Sequence, residues 1–291
     1  MLASLIAILS PVFLVAGLGF AWIRSGADYP TAFVARLVMN IGTPCLVLST
    51  LSRTHLDPQA FTSMAVACTG GLAVMGVLGW AISRLTGRHW RVLVPAFMFP
   101  NTGNMGLPIS LYAFGDSGLA LAVAFFLTLS TFQFTLGIVL SGGAASFRSL
   151  VRNPIVISLV LALPVIFFDL HLPRWLANTV DLLGGMTIPL MLLTLGVSLA
   201  SLRLRQVGSG LLLGGLRIVL GAAVGWGIGQ ALALQPLEQA VLIMQSAMPV
   251  AVFNYLLAIR ANQSPEQVAN LVMCSTALSF ILLPVILAWL L

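Results

Sequence analysis

The sequence predicts an all-α protein that crosses a lipid bilayer about ten times. Three observations carry that expectation. Charged residues make up only 7% of the 291-residue chain. Mean hydropathy is +1.08. Apolar runs of about twenty residues, the length that spans a bilayer, recur between short polar breaks. A soluble domain has about a quarter of its residues charged, so this composition excludes one.

The runs fall near 4–23, 31–51, 60–83, 92–113, 117–141, 154–170, 176–200, 208–232, 239–259 and 267–290. The first has no arginine before its apolar stretch, so it reads as a retained span rather than a cleaved leader. Orientation follows from arginine, since all thirteen basic residues are of this type. Arg24, Arg84, Arg88, Arg91, Arg148, Arg152, Arg203, Arg205 and Arg260 lie on one side, Arg53 and Arg174 on the other. The richer side is expected in the cytoplasm, which puts both termini outside. A net charge of +6 without a basic stripe or interleaved aromatics does not describe a nucleic-acid surface. Cys45, Cys68 and Cys274 sit apart in apolar runs and read as packing residues.

The two halves echo one another. "NIGTPCLVLSTL" (40–51) resembles "MTIPLMLLTLGV" (186–197), aligning Pro44 with Pro189, and "FPNTGNMG" (99–106) pairs with "MPVAVFNY" (248–255), aligning Pro100 with Pro249. Both separations are close to half the chain. The sequence is therefore expected to fold as repeats 1–145 and 146–291. An odd number of spans per repeat requires opposite topologies. Inverted repeats with interruptions in matching places are the sequence mark of a secondary transporter and its binding site.

The fourth span carries "FPNTGNMGLPIS" at its centre. Proline removes a backbone donor and clashes with the preceding turn, and glycine destabilises a helix interior. Non-helical backbone at that depth must line a cavity or lie buried in protein. Pro100, Gly106 and Pro108, with Pro249 in the ninth span, are thus expected helix breaks. Asn101, Thr102, Gly103 and Asn104 from the first break, with Gln245, Ser246, Val250 and Asn254 from the second, are candidate substrate-binding residues. The N-terminal ends of the half-helices beyond the breaks would offer free N–H groups and positive dipole ends to an anion. The two asparagines of the first break would add neutral donors.

Other polar residues support weaker readings. Asn40, Thr43, Pro44 and Pro189 are candidate scaffold-lining positions. The seven acidic residues fall in loops or near span ends, with Asp181 about one turn inside the seventh span. Proton pumping through a mid-membrane carboxylate therefore has little support. Arg217, about ten residues into the eighth span, is expected to snorkel to the cytoplasmic face; answering a substrate charge is the alternative. Gln133 and Asn270 suit interhelical hydrogen bonds. Gly221, Gly225 and Gly229 recur every fourth residue and make a close-packing face, within the chain or between chains. His55, His89 and His171 lack ligand spacing. No metal site, cofactor motif or hydrolytic triad is apparent, so no cofactor and no enzymatic activity is expected.

At "FPNTGNMGLPISLYAFGD" and again at "SAMPVAVFNYLLA" the sequence resembles the auxin efflux carrier family of membrane transporters, over essentially the whole chain. The resemblance implies two inverted five-helix repeats, crossing broken helices, an elevator-like alternating-access movement, and dimers. It implies a scaffold domain from spans 1, 2, 6 and 7 and a transport domain from spans 3–5 and 8–10. It makes Pro100 and Pro249 the crossover prolines and places Asn101 on the substrate carboxylate. Two departures from the plant branch are plain. The 142–153 connection is short, and the third span carries no charged residue where an acidic support site would lie. The expected function is carriage of a small organic anion, a carboxylate above all, across the bacterial-type plasma membrane, by efflux or potential-driven uniport. A sodium- or proton-coupled symporter is the nearest alternative, and a ligand-binding sensor without transport is the alternative of another class.

Overall fold

In the computed structural model, residues 2–54, 56–143, 151–168, 170, 172–201 and 207–291 are described. Seven of the described helical segments are long and apolar enough to cross a membrane: Ala3–Arg24, Thr31–Thr54, Pro58–Thr86, Thr102–Leu140, Arg174–Ser201, Val207–Ala231 and Pro265–Leu290. Pro154–Phe167 is a shorter apolar helix. The remaining helices, Trp90–Met98, Pro236–Ser246 and Val252–Arg260, are too short to span alone.

Sequence chemistry explains the ends. Asp57 caps Pro58–Thr86 by accepting from the Gln59 N–H at 3.0 Å, and Gly87 closes it in the left-handed conformation with φ +67°. Asn153 accepts from the Ile155 N–H at 2.9 Å ahead of Pro154. Glu238 reaches back to the Gln235 N–H at 3.3 Å as Pro236 opens its helix.

Seven of the ten expected runs coincide with described helices to within a few residues, whereas the fourth, fifth and ninth do not stand as single separate helices, the ninth being interrupted between Ser246 and Val252. The fourth run breaks completely between Met98 and Thr102. From Thr102 the helix runs on to Leu140, divided at Gly115, whose φ of +67° and ψ of −162° no helix contains. Within the longer segments, Val38–Gly42, Thr102–Gly106 and Gln133–Gly137 are wide π-turns. Such turns concentrate at functional sites, and these three contain Asn40, Asn104 and Gln133.

Two sets of helices pack closely. In one, Leu2–Arg24 lies so near Thr187–Ser201 that Gly196 faces the Ala16 carbonyl and Gly19 the Leu193 carbonyl. Thr43–Thr54 packs on Pro154–Phe167 and on Arg174–Gly185, where Gly184 touches the Leu46 backbone. In the other, Pro58–Thr86 packs on Trp90–Met98, and Val207–Ala231 packs on both Pro236–Ser246 and Pro265–Leu290. Small residues at these faces let backbones approach in the way membrane helices favour.

Candidate functional site

The two helix breaks meet. Among the described residues no sheet forms, but one isolated antiparallel bridge joins Pro100 to Val250. Asn101 donates its N–H to the Pro249 carbonyl at 2.7 Å, and Ala251 donates to the Phe99 carbonyl at 3.1 Å. Each proline interrupts its own helix, and the backbone freed at one break is satisfied at the other. A buried chain requires this accounting.

The carboxyl ends of the first half-helices are then capped by side chains. Asn254 donates through Nδ2 to the carbonyls of Phe99 at 3.0 Å and Pro95 at 3.3 Å. Its Oδ1 accepts from Gln133 Nε2 at 3.4 Å. Arg217 is 1% exposed. Its Nη1 donates to the carbonyls of Ser246, at 2.7 Å, and of Met248, while Nη2 reaches the Phe97 carbonyl at 3.5 Å. Among the described residues no carboxylate pairs with this guanidinium, and its Nε is buried without an acceptor.

That arrangement corrects the expectation of a snorkelling arginine. Arg217, Gly221, Gly225 and Gly229 share one face of the Val207–Ala231 helix, being four residues apart. Gly221 faces the Ser246 carbonyl, Gly225 the Ile243 and Leu242 backbone, and Gly229 the Gln239 side chain. The glycine face therefore packs within the chain against Pro236–Ser246. This carries Arg217 beneath the end of that half-helix instead of toward the water.

The amino ends of the second half-helices remain open. The N–H groups of Gly103, Asn104, Val252 and Phe253 have no acceptor among the described residues, and all four residues are half-buried. Asn101 is 4% exposed. Its carbonyl accepts from Met105 at 3.3 Å and Gly106 at 3.2 Å, yet its Nδ2 is buried with no partner. Gln245 donates to Ser110 Oγ at 2.9 Å. Its Oε1 is also buried and unpartnered, lying where a Cβ on Gly106 would be. Thr102, Ser246 and Val250 are buried, and the Val250 N–H donates to Ser275 Oγ at 3.0 Å. Pro108 opens the helix just past the break, in its first turn.

So the structure gathers both breaks and their polar residues at one place. The scaffold-lining candidates lie on neighbouring helices, of which Thr187–Ser201 packs against Thr102–Gly106 of the first break. Asn40 is exposed, Thr43 is buried, and Pro44 is half-buried in its helix. Pro189 lines a cavity of about 310 Å³, shared with Ser49, Arg53, Tyr112, Asp116 and Asp181. There Asp181 pairs with Arg53 at 2.5 Å and accepts from the Ser49 hydroxyl, an interfacial tie between helices. Asn270 is buried on Pro265–Leu290, and Cys45, Cys68 and Cys274 are free thiols. His89 caps a helix by accepting from the Arg91 N–H at 3.2 Å. The readings of His55, His171, Asp169, Arg148, Arg203 and Arg205 lie outside the described residues.

Ser110 and Ser275 were not legible as site neighbours, because a serine in an apolar helix carries no signal of what it faces. The chemistry of the assembled site is one-sided. Among the described residues it offers unpaired N–H donors, one fixed guanidinium charge and no carboxylate partner, which suits an anion.

Apolar membrane-length helices around a buried polar junction define an integral membrane protein. A family model described as membrane transport protein matches residues 5–146 and 143–287. The chain belongs to this family, that of the auxin efflux carriers. An uncharacterized transporter of Methanothermobacter thermautotrophicus is 32% identical over 260 residues, covering 86% of this chain and 85% of that protein. An uncharacterized transporter of Methanocaldococcus jannaschii is 23% identical over 264 residues, covering 85% of each.

Proposed function

We propose that this membrane transporter carries a small organic anion, a carboxylate above all, bound between the two helix breaks. The observation that carries this reading is the set of donors without acceptors: the four free N–H groups and Asn101 Nδ2. A carboxylate would satisfy them, with Thr102, Ser246 and Asn254 around it. The breaks count as two crossing spans, completing ten in two inverted repeats of 1–145 and 146–291.

Alternating access is read as an elevator movement. Its support is the packing: spans 1, 2, 6 and 7 form one set, while spans 3, 4, 8, 9 and 10 share close contacts in another. The moving set would carry both breaks together, since they hydrogen-bond to each other. We place the protein in the plasma membrane with both termini outside, following the arginine distribution. An inside-negative potential then drives an anion outward by about 2.3 kcal/mol per charge for each 100 mV, so no coupling ion is needed.

The test is current from purified protein in proteoliposomes, with malate, malonate, lactate, benzoate and indole-acetate presented in turn. A saturable current without sodium or a pH gradient is expected for at least one of them. Tight binding of an anion with no flux would make the protein a sensor instead.

A further inference from the structure

The Arg217 guanidinium lies where secondary transporters commonly place a mobile cation. In such proteins unwound carbonyls and the negative ends of half-helices coordinate sodium or a proton. Here the carbonyls of Ser246 and Met248, two residues apart in the unwound end of one half-helix, both accept from Nη1. The carbonyl of Phe97, from the end of the other half-helix, faces Nη2 at 3.5 Å. One cation thus answers the carboxyl ends of both half-helices. It is held covalently, is 1% exposed and is brought there by the glycine face of its helix.

We propose that Arg217 is a built-in replacement for a coupling cation. The charge that a symporter must bind afresh in each cycle is here a permanent part of the chain, and the anion site is pre-assembled without sodium. The proposal rests on the anion-carrier reading above and adds to it the identity of the compensating charge. A simple helix cap would also stabilise the fold. A cation replacement makes the further demand that the emptied cradle should accept a free cation.

The experiment compares wild type, Arg217→Ala and Arg217→Lys in detergent. Thermal unfolding is followed while guanidinium chloride or sodium chloride replaces choline chloride at constant ionic strength. The guanidinium stays in the low-millimolar range, far below the molar concentrations that denature. Wild type should show no saturable shift with either ion. Arg217→Ala should unfold lower by about 5 °C or more and recover at least half of that loss, saturably, with guanidinium. Arg217→Lys, which keeps a charge but not a fork wide enough for both helix ends, should fall between them.

A folded Arg217→Ala with no loss, or with a loss that neither ion repairs, overturns the proposal. Saturable stabilisation of wild type by sodium overturns it even if the alanine variant cannot be purified folded. Flux separates the two claims. A wild-type anion current that needs sodium sinks the cation replacement and keeps the carrier, whereas no current for any anion under any cation sinks the carrier and leaves the thermal result to stand. In proteoliposomes Arg217→Ala should lose at least tenfold in anion current in choline. It should return to within threefold of wild type with guanidinium.

Discussion

The amide of Asn254 reaches from the second helix break into the first and holds the carbonyl of Phe99 at 3.0 Å. The same carbonyl accepts from the Ala251 N–H at 3.1 Å. Two segments about half a chain apart in sequence are thereby locked as one polar unit inside an apolar protein. Neither break could persist alone in lipid, because each would leave carbonyls without donors.

Replacing Asn254 by leucine keeps its volume and removes its hydrogen bonds. The carbonyls of Pro95 and Phe99 keep backbone donors, Phe99 N–H at 2.9 Å and Ala251 N–H at 3.1 Å, so the group left without a partner is the buried Gln133 Nε2. A loss of about 1–3 kcal/mol is expected, measured by reversible denaturant unfolding in mixed micelles.

Asn101 should behave in the opposite way. Its Nδ2 has no partner among the described residues, so Asn101→Ala should change stability by less than about 0.5 kcal/mol. Anion affinity should nonetheless fall at least tenfold, about 1.4 kcal/mol, because a donor to the substrate is gone. Equilibrium binding of a radiolabelled anion to the purified variant, beside its unfolding curve, checks both halves.

The glycine face provides a paired test of packing. A Cβ on Gly221 would meet the Ser246 carbonyl, whereas one on Gly227 meets nothing within 4 Å. Gly221→Ala should cost about 1–3 kcal/mol and cut flux, because it pushes Arg217 away from its carbonyls. Gly227→Ala should stabilise by about 0.5–1 kcal/mol with flux unchanged. Equal effects in the two variants would show that the helix does not pack as described.

Voltage dependence follows from the fixed charge. If the moving unit carries Arg217 and no carboxylate partner, it crosses as a cation when empty and as a neutral species with a monovalent anion bound. Net efflux should then rise with membrane potential, with the return of the empty carrier as the sensitive step. Anion-for-anion exchange should respond little. Tracer exchange and net current, measured in the same vesicles across a series of imposed potentials, distinguish these modes.

The sequence by itself determined the class of protein and the location of its irregular backbone. Span length is set by bilayer thickness, so seven of the apolar runs could be located to within a few residues. Proline and glycine act locally, so the break at Pro100 and its partner at Pro249 were legible without any tertiary information. The pairing of those breaks was legible too, because the landmarks recur in order in both halves.

Only the tertiary structure decided which polar groups share one space. Hydropathy is one-dimensional and does not separate an arginine that snorkels to water from one turned inward. Burial of Arg217 depends on where its helix face lies, and that face is chosen by the fit of Gly221 and Gly225 to a neighbouring backbone. Pro44 and Pro189 likewise matched in sequence, but only the folded chain set Pro189 beside the Arg53–Asp181 pair. The roles of Ser110, Gln133 and Ser275 arise from contacts between helices distant in sequence. A side chain's partner is a property of packing, and packing is settled by the whole set of faces rather than by any one span.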